Sequence, residues 1–363
     1  MKAIITGCGQ DASYLTELLI EKGWEVVTLV RRSSYTNYGR LEHLRDLEES
    51  EDKSFNMEYF DLADEASIRR VITEHKPDYF FNLAAQSHVG ISFKVPESTI
   101  NFNAMGVLRI LEALRTICPT CKYYQASSSE MFGISPPPQS ESTPMLPCSP
   151  YGVSKLAAYN LTRIYRIAYG MHCTNGILFN HESERRGLNF VTRKITTEIA
   201  EIINGTRKKI TLGNLDAKRD WGHARDYMEA IVELMTEQEP TDMVISTGET
   251  YSIKEFLEEA FKQVGLDWKD YVITNDKYKR PFDVPALLGD NSYALKSMKW
   301  RPKVMFKELI SLMLDNDLKE IAGISLEEAQ KPLEYINICP VCLKIYKTLD
   351  EANECATNHG VMR

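Results

Sequence analysis

A chain of 363 residues with a formal net charge of −8 is long enough for one large α/β body with a subdomain, or for two modest domains. The negative balance argues against coating a nucleic-acid duplex, so an anionic partner has to be held by a few placed cations. No window approaches the roughly 18–20 apolar residues of a membrane span, and the opening MKAIIT reads as a strand rather than a signal peptide, so the expected location is the cytoplasm.

In chain order, short apolar runs alternate with amphipathic stretches. Ala3–Thr6 is followed by a helical segment from Ala12 to Lys22, then by Glu25–Val30, Tyr79–Leu83, Val107–Thr116 and Lys122–Ala126. That rhythm is the βαβ pattern of a Rossmann-type, doubly wound parallel sheet. Pro136-Pro137-Pro138 interrupts it, after which Val153–Ala168 resumes a long helical period before the apolar run Thr174–Leu178. Beyond about Asn180 the periodicity weakens, and Asn180–Asn189, Leu212–Asp226 and Asp276–Asp290 read as polar, site-building loops. The expected division is a dinucleotide-binding domain over 1–180, a smaller substrate-binding subdomain over most of 181–325, and a cysteine-rich tail over 333–363.

The first strand runs into Gly7-Cys8-Gly9-Gln10-Asp11-Ala12, which fits G-x-G-x-x-A opening a helix. Gly7 permits the tight turn, Gly9 lets the backbone approach a pyrophosphate at the helix N-terminus, and Ala12 allows close helix–strand packing. At the end of the second strand, where an NAD-selecting fold places an acidic residue, stand Arg31, Arg32, Ser33 and Ser34. Guanidinium groups and hydroxyls suit a 2′-phosphate, so the expected cofactor is NADP. The plain alternative is an arginine pair on a solvated loop.

Tyr151 and Lys155 stand four apart on a helix and share a face. A neighbouring ammonium stabilises tyrosinate and makes the phenol a base for a sugar hydroxyl. Ser127-Ser128-Ser129-Glu130 follows the preceding strand at its carboxyl end, where open α/β sheets bind ligands. Glu130 is the candidate general acid or base, with Ser128 donating a hydrogen bond to a substrate oxygen; a helix-capping serine cluster is the alternative.

Beyond these, the strings Asn82-Leu-Ala-Ala-Gln-Ser-His88, Gln125-Ala-Ser-Ser-Ser-Glu130, Ser149-Pro-Tyr-Gly-Val-Ser-Lys155, Asn175-Gly-Ile-Leu-Phe-Asn-His-Glu-Ser183 and Leu212-Gly-Asn-Leu-Asp-Ala-Lys-Arg-Asp-Trp-Gly222 occur in order, with Arg280-Pro281 after them. Over roughly residues 1–315 the chain resembles the GDP-mannose 4,6-dehydratases, extended short-chain dehydrogenases/reductases. The resemblance implies a lyase that converts GDP-mannose to GDP-4-keto-6-deoxymannose by internal hydride transfer through NADP with loss of water. It further implies that Asp61, Leu62, Leu83, Ala85, Ser87, His181 and Arg186 join Gly7, Gly9, Gln10, Asp11, Arg31, Arg32, Ser33, Ser34, Tyr151 and Lys155 at the cofactor. Asn180, Asn189, Val191, Lys194, Arg219 and Arg280 would hold the GDP-sugar, and a homodimer or homotetramer is expected. The family's glycine loop is usually one residue longer, and Ser98 falls where its members place a tyrosine. Other readings are a 4,6-dehydratase of a related GDP-sugar such as a GDP-heptose, a GDP-sugar reductase or epimerase, and a non-catalytic nucleotide-binding or docking protein.

At the tail, Cys339-x2-Cys342-x12-Cys355-x3-His359 has the spacing of a zinc finger with one histidine replaced by cysteine, which makes a structural zinc the expected ligand. Acidic Asp350, Glu351 and Glu354 make it a poor reader of nucleic acid. Cys118-Pro-Thr-Cys121 repeats the C-P-x-C form but reads as a surface turn before a strand.

Overall fold

The computed structural model describes residues 1–34, 38–49, 53–278, 280–330 and 354. The expected zinc ligands Cys339, Cys342, Cys355 and His359 lie outside the described residues. The elements that matter to the site are strands β1 (Lys2–Thr6), β2 (Glu25–Val30), β3 (Phe55–Tyr59), β4 (Tyr79–Asn82), β5 (Lys122–Ser128), β6 (Cys173–Leu178) and β7 (Asp242–Ile245). With them go helices α1 (Gln10–Glu21), α2 (Glu65–His75), α3 (Gly106–Ile117), α4 (Pro150–Tyr169), α5 (Val191–Ile203), α6 (Ala224–Glu237), α7 (Ile253–Gln263) and α8 (Phe306–Ile321).

The seven strands form one parallel sheet in the order β7-β6-β5-β4-β1-β2-β3. Because successive side chains alternate between faces, each strand feeds two cores. Ala3, Ile5, Phe81 and Tyr124 pack with α1 and α6 on one face, whereas Ile4, Phe80 and Tyr123 pack with α2 and α3 on the other. The chain leaves β1 toward β2 and β3, and from β4 builds outward the opposite way. The crevice beyond the carboxyl ends of β1 and β4 is therefore the topological switch point, where such sheets bind ligands.

The chain divides into two compact units. The first comprises Met1–His181, Lys218–Thr250 and Arg280–Lys303, so the linear division expected at residue 180 is interleaved: two later segments return to the sheet. The second comprises Glu182–Ala217, Tyr251–Lys279 and the chain from Val304. It is built on α5, α7 and α8, with Ile195, Ile199, Phe256, Leu309 and Met313 buried. A buried ion pair joins α5 to α8, Arg193 lying 2.5 Å from Asp317. Among the described residues no helix is long and apolar enough to cross a membrane.

Candidate functional site

The turn after β1 is made by Gly7 at φ +97°, a left-handed conformation that a side chain would strain. Gly9 is the N-cap of α1 and has no side chain of its own to cap the first turn. A Cβ on Gly9 would meet nothing within 4 Å, so the backbone is open to a ligand, while Ala12 is buried against the sheet. A helix N-terminus beside an open glycine backbone can face an anion. The loop after β4, which carries Leu83, Ala85 and Ser87, is tied to the same place by Thr6 Oγ1, which accepts from the Leu83 and Ala84 amides at 2.9 Å each.

Several of the expected cofactor residues are brought together here. His181 Nε2 lies 3.0 Å from Asp11 Oδ2, and Gln10 Nε2 donates to Asp11 Oδ1 and to the His181 carbonyl. Arg31, Arg32, Ser33 and Ser34 are all exposed beyond β2. Past β3, Asp61 Oδ1 accepts from the Ala63 amide, and Leu62 is buried so close to Gly106 that a Cβ there would come within 3.0 Å. Arg186 belongs to the second unit, where Glu182 lies 3.0 Å away and the Phe190 ring packs against the guanidinium.

The catalytic candidates converge at the end of β5 and the start of α4. Ser149 caps α4 by accepting from the Gly152 amide, Pro150 occupies the first turn, and Gly170 ends the helix at φ +65°. Gly152 admits the chain after β5: a Cβ on it would stand 2.7 Å from the Glu130 carbonyl oxygen. Lys155 reaches inward from α4, its Nζ 5.8 Å from the Tyr151 ring centre and 2.8 Å from the Ala126 carbonyl that it bonds. Burial pushes the Lys155 ammonium down to about 8. Ser128 Oγ accepts from the Glu130 amide at 3.2 Å, which is the capping role, and its hydroxyl hydrogen remains able to donate.

The resemblance assigns Arg219 and Arg280 to the GDP-sugar and says nothing of their partners in the chain. Arg219 is buried, with Nη2 3.8 Å from Glu130 Oε1 and 3.3 Å from Asp283 Oδ1. Burial pulls its pKa below the ordinary arginine range against the opposing pull of those two carboxylates. Arg280, half-buried, shares Asp283 at 3.5 Å. Asp283 thus gathers both cations, and its one signal in the sequence was its position three residues after Arg280. Asn180 is half-buried just after β6. In the second unit Asn189 is exposed and Val191 opens α5, while Lys194 donates to the Thr211 carbonyl at 2.6 Å and lies over the Tyr278 ring.

The arrangement offers an anion cradle, an inward lysine four residues from a tyrosine, and a carboxylate backed by a buried arginine. Residues 4–313 match the family model described as GDP-mannose 4,6 dehydratase. The chain is 50% identical over 323 residues to GDP-mannose 4,6 dehydratase 1 of Arabidopsis thaliana, covering 87% of this chain and 90% of that protein. It is 45% identical over 339 residues to the Homo sapiens GDP-mannose 4,6 dehydratase, covering 87% and 91%. Among solved structures, UDP-glucuronic acid 4-epimerase from Bacillus cereus, in complex with UDP-glucuronic acid and NAD, superposes with a TM-score of 0.77 at 21% identity, covering 88% and 100% of the two chains. That likeness shows the shared fold.

Proposed function

The chain belongs to the GDP-mannose 4,6-dehydratase family, and from that premise we propose that it converts GDP-mannose to GDP-4-keto-6-deoxymannose with NADP as its retained cofactor. The observation that carries the reading is the assembly of Ser128, Glu130, Tyr151 and Lys155 at the carboxyl end of β5, with Arg219 beside Glu130. A reductase has no C5 proton to remove, so a buried carboxylate at that place favours dehydration.

The residues fit a nicotinamide dinucleotide: open backbone at Gly9 and the N-terminus of α1 suit the pyrophosphate, and exposed Arg31 and Arg32 suit a 2′-phosphate, which favours NADP over NAD. When bound, the cofactor would take the hydride from sugar C4 and return it to C6. Tyr151, with the Lys155 ammonium near its ring, accepts the O4 proton. Glu130 removes the C5 proton, which the C4 carbonyl has made acidic. The C6 hydroxyl then leaves with one of these two protons as water, and the other returns to C5 as the hydride reaches C6, so atoms and electrons balance. Arg219 Nη2, 3.8 Å from Glu130 Oε1, gives that side chain a cationic neighbour at the place where it works.

Arg219 and Arg280, gathered by Asp283, are the proposed diphosphate cations, and Asn180 a sugar contact. For Asn189, Val191, Lys194 and Arg186 the reading rests on the resemblance alone. The proposed homo-oligomer is supported by exposed apolar residues on one face of α4, Val153, Ile164 and Ile167. Incubation with GDP-mannose and no added reductant tests the function. Mass spectrometry is expected to show loss of one water, abolished in Tyr151→Phe and Glu130→Gln; an unchanged GDP-mannose would sink it.

A further inference from the structure

A buried row of polar side chains crosses three neighbouring strands beneath the catalytic pair. Thr6 at the end of β1 donates from Oγ1 to Asn82 Oδ1 at 2.9 Å, and Asn82 at the end of β4 donates from Nδ2 to Gln125 Oε1 at 2.9 Å. Gln125 in β5 is the ladder partner of Asn82, and its Oε1 also accepts from the Tyr123 hydroxyl at 2.7 Å. Gln125 Nε2 then donates at 2.8 Å to the Ala126 carbonyl, the same oxygen that Lys155 Nζ bonds at 2.8 Å. Thr6, Asn82, Gln125 and Tyr123 are at most 1% exposed.

Each member of the row has its amide or hydroxyl turned one way, donors toward β5 and the Ala126 oxygen. Apolar residues would hold the sheet as well, since Phe80 and Phe81 occupy neighbouring positions of β4. The β4–β5 ladder ends at Asn82↔Gln125, one residue short of Ala126; β6 holds the Ala126 backbone opposite Gly176, while the Ala126 carbonyl accepts from two side chains, Gln125 and Lys155. A polar network in low dielectric specifies geometry when its members are satisfied, as here. We propose that Gln125 is a positioning residue for the Tyr151–Lys155 pair: it fixes the Ala126 carbonyl that anchors the lysine, with Asn82, Thr6 and Tyr123 holding Gln125 in turn. This rests on the proposed role of that pair in proton transfer.

Gln125→Met keeps the length of the side chain and removes both its donor and its acceptor. With the Ala126 oxygen no longer fixed, the ammonium stands less well over the tyrosine, and tyrosinate forms at higher pH. The acid limb of the kcat/KM profile is expected to rise by about one pH unit, so that activity falls about tenfold at pH 7 and returns to within about threefold above pH 9. Tyr123→Phe takes one donor from Gln125 and keeps the ring, so it remains informative if Gln125→Met fails to fold. It is expected to move the limb the same way by about threefold in rate at pH 7. A loss equal at every pH, or no loss in either variant, would overturn the proposal, because a purely structural network does not move the limb. If wild-type protein leaves GDP-mannose unchanged, the functional reading fails, and tyrosinate absorbance still tests the network. Each protein is titrated against its own Tyr151→Phe counterpart: a raised midpoint in Gln125→Met supports the role of Gln125, and identical midpoints refute it.

Discussion

Lys155→Met is expected to make the chain more stable and inactive at once. In the folded chain the ammonium is buried and its pKa falls from 10.5 to about 8. At roughly 1.36 kcal/mol per unit, that difference corresponds to about 3 kcal/mol against the charged form at pH 7. Methionine removes the charge, keeps the unbranched stem, and leaves no orphan acceptor, because Gln125 Nε2 still bonds the Ala126 carbonyl. The sign with pH follows from proton binding: between about pH 8 and 10.5 the unfolded lysine holds a proton that the folded one has lost, so wild-type stability climbs with pH across that window. Urea midpoints of the cofactor-free proteins should therefore favour Lys155→Met by about 1–3 kcal/mol at pH 7, with the advantage shrinking toward pH 10. Loss of stability at pH 7, or an advantage that does not change with pH, would refute the reasoning. Water loss from GDP-mannose should fall at least about a hundredfold in the same variant.

Gly7→Ala forces a side chain onto φ +97° and is expected to cost about 1–2 kcal/mol and weaken retention of NADP, read by denaturation and by cofactor content after purification. Arg31→Ala with Arg32→Ala should weaken NADP binding about tenfold or more while leaving NAD binding nearly unchanged, measured by titration calorimetry. Arg193→Ala strands Asp317, which is fully buried, and is expected to cost about 3–5 kcal/mol in the second unit; Arg193→Met with Asp317→Leu should recover most of it. The tail spacing leads us to expect about one zinc per full chain by elemental analysis, lost in Cys339→Ser.

Most of the sheet was legible because its strands announce themselves by composition: Ala3–Thr6, Glu25–Val30 and Thr174–Leu178 are apolar runs buried on both faces. β3 and β7 were not read as strands. They are the two edges: Phe55-Asn-Met-Glu-Tyr59 alternates apolar and polar residues over only five positions, and Asp242-Met-Val-Ile245 is four residues long. Tyr151, Lys155 and Glu130 could be named from local spacing, since one helix face and one strand end carry them. Asp283 between its two arginines, Arg219 beside Glu130, and Gln125 behind Lys155 depend on register and on segments returning from far along the chain. Apart from the i,i+3 spacing of Arg280 and Asp283, no local pattern encodes those.

Internal hydride transfer is tested most directly with GDP-mannose carrying deuterium at sugar C4, mixed with unlabelled GDP-mannose and turned over by the purified protein without added cofactor. The expected product bears the deuterium at C6 of the molecule that carried it, with no crossover between labelled and unlabelled sugars. Deuterium appearing in solvent, in added nicotinamide cofactor, or on other product molecules would contradict a hydride that leaves C4 and returns to C6 within one bound sugar.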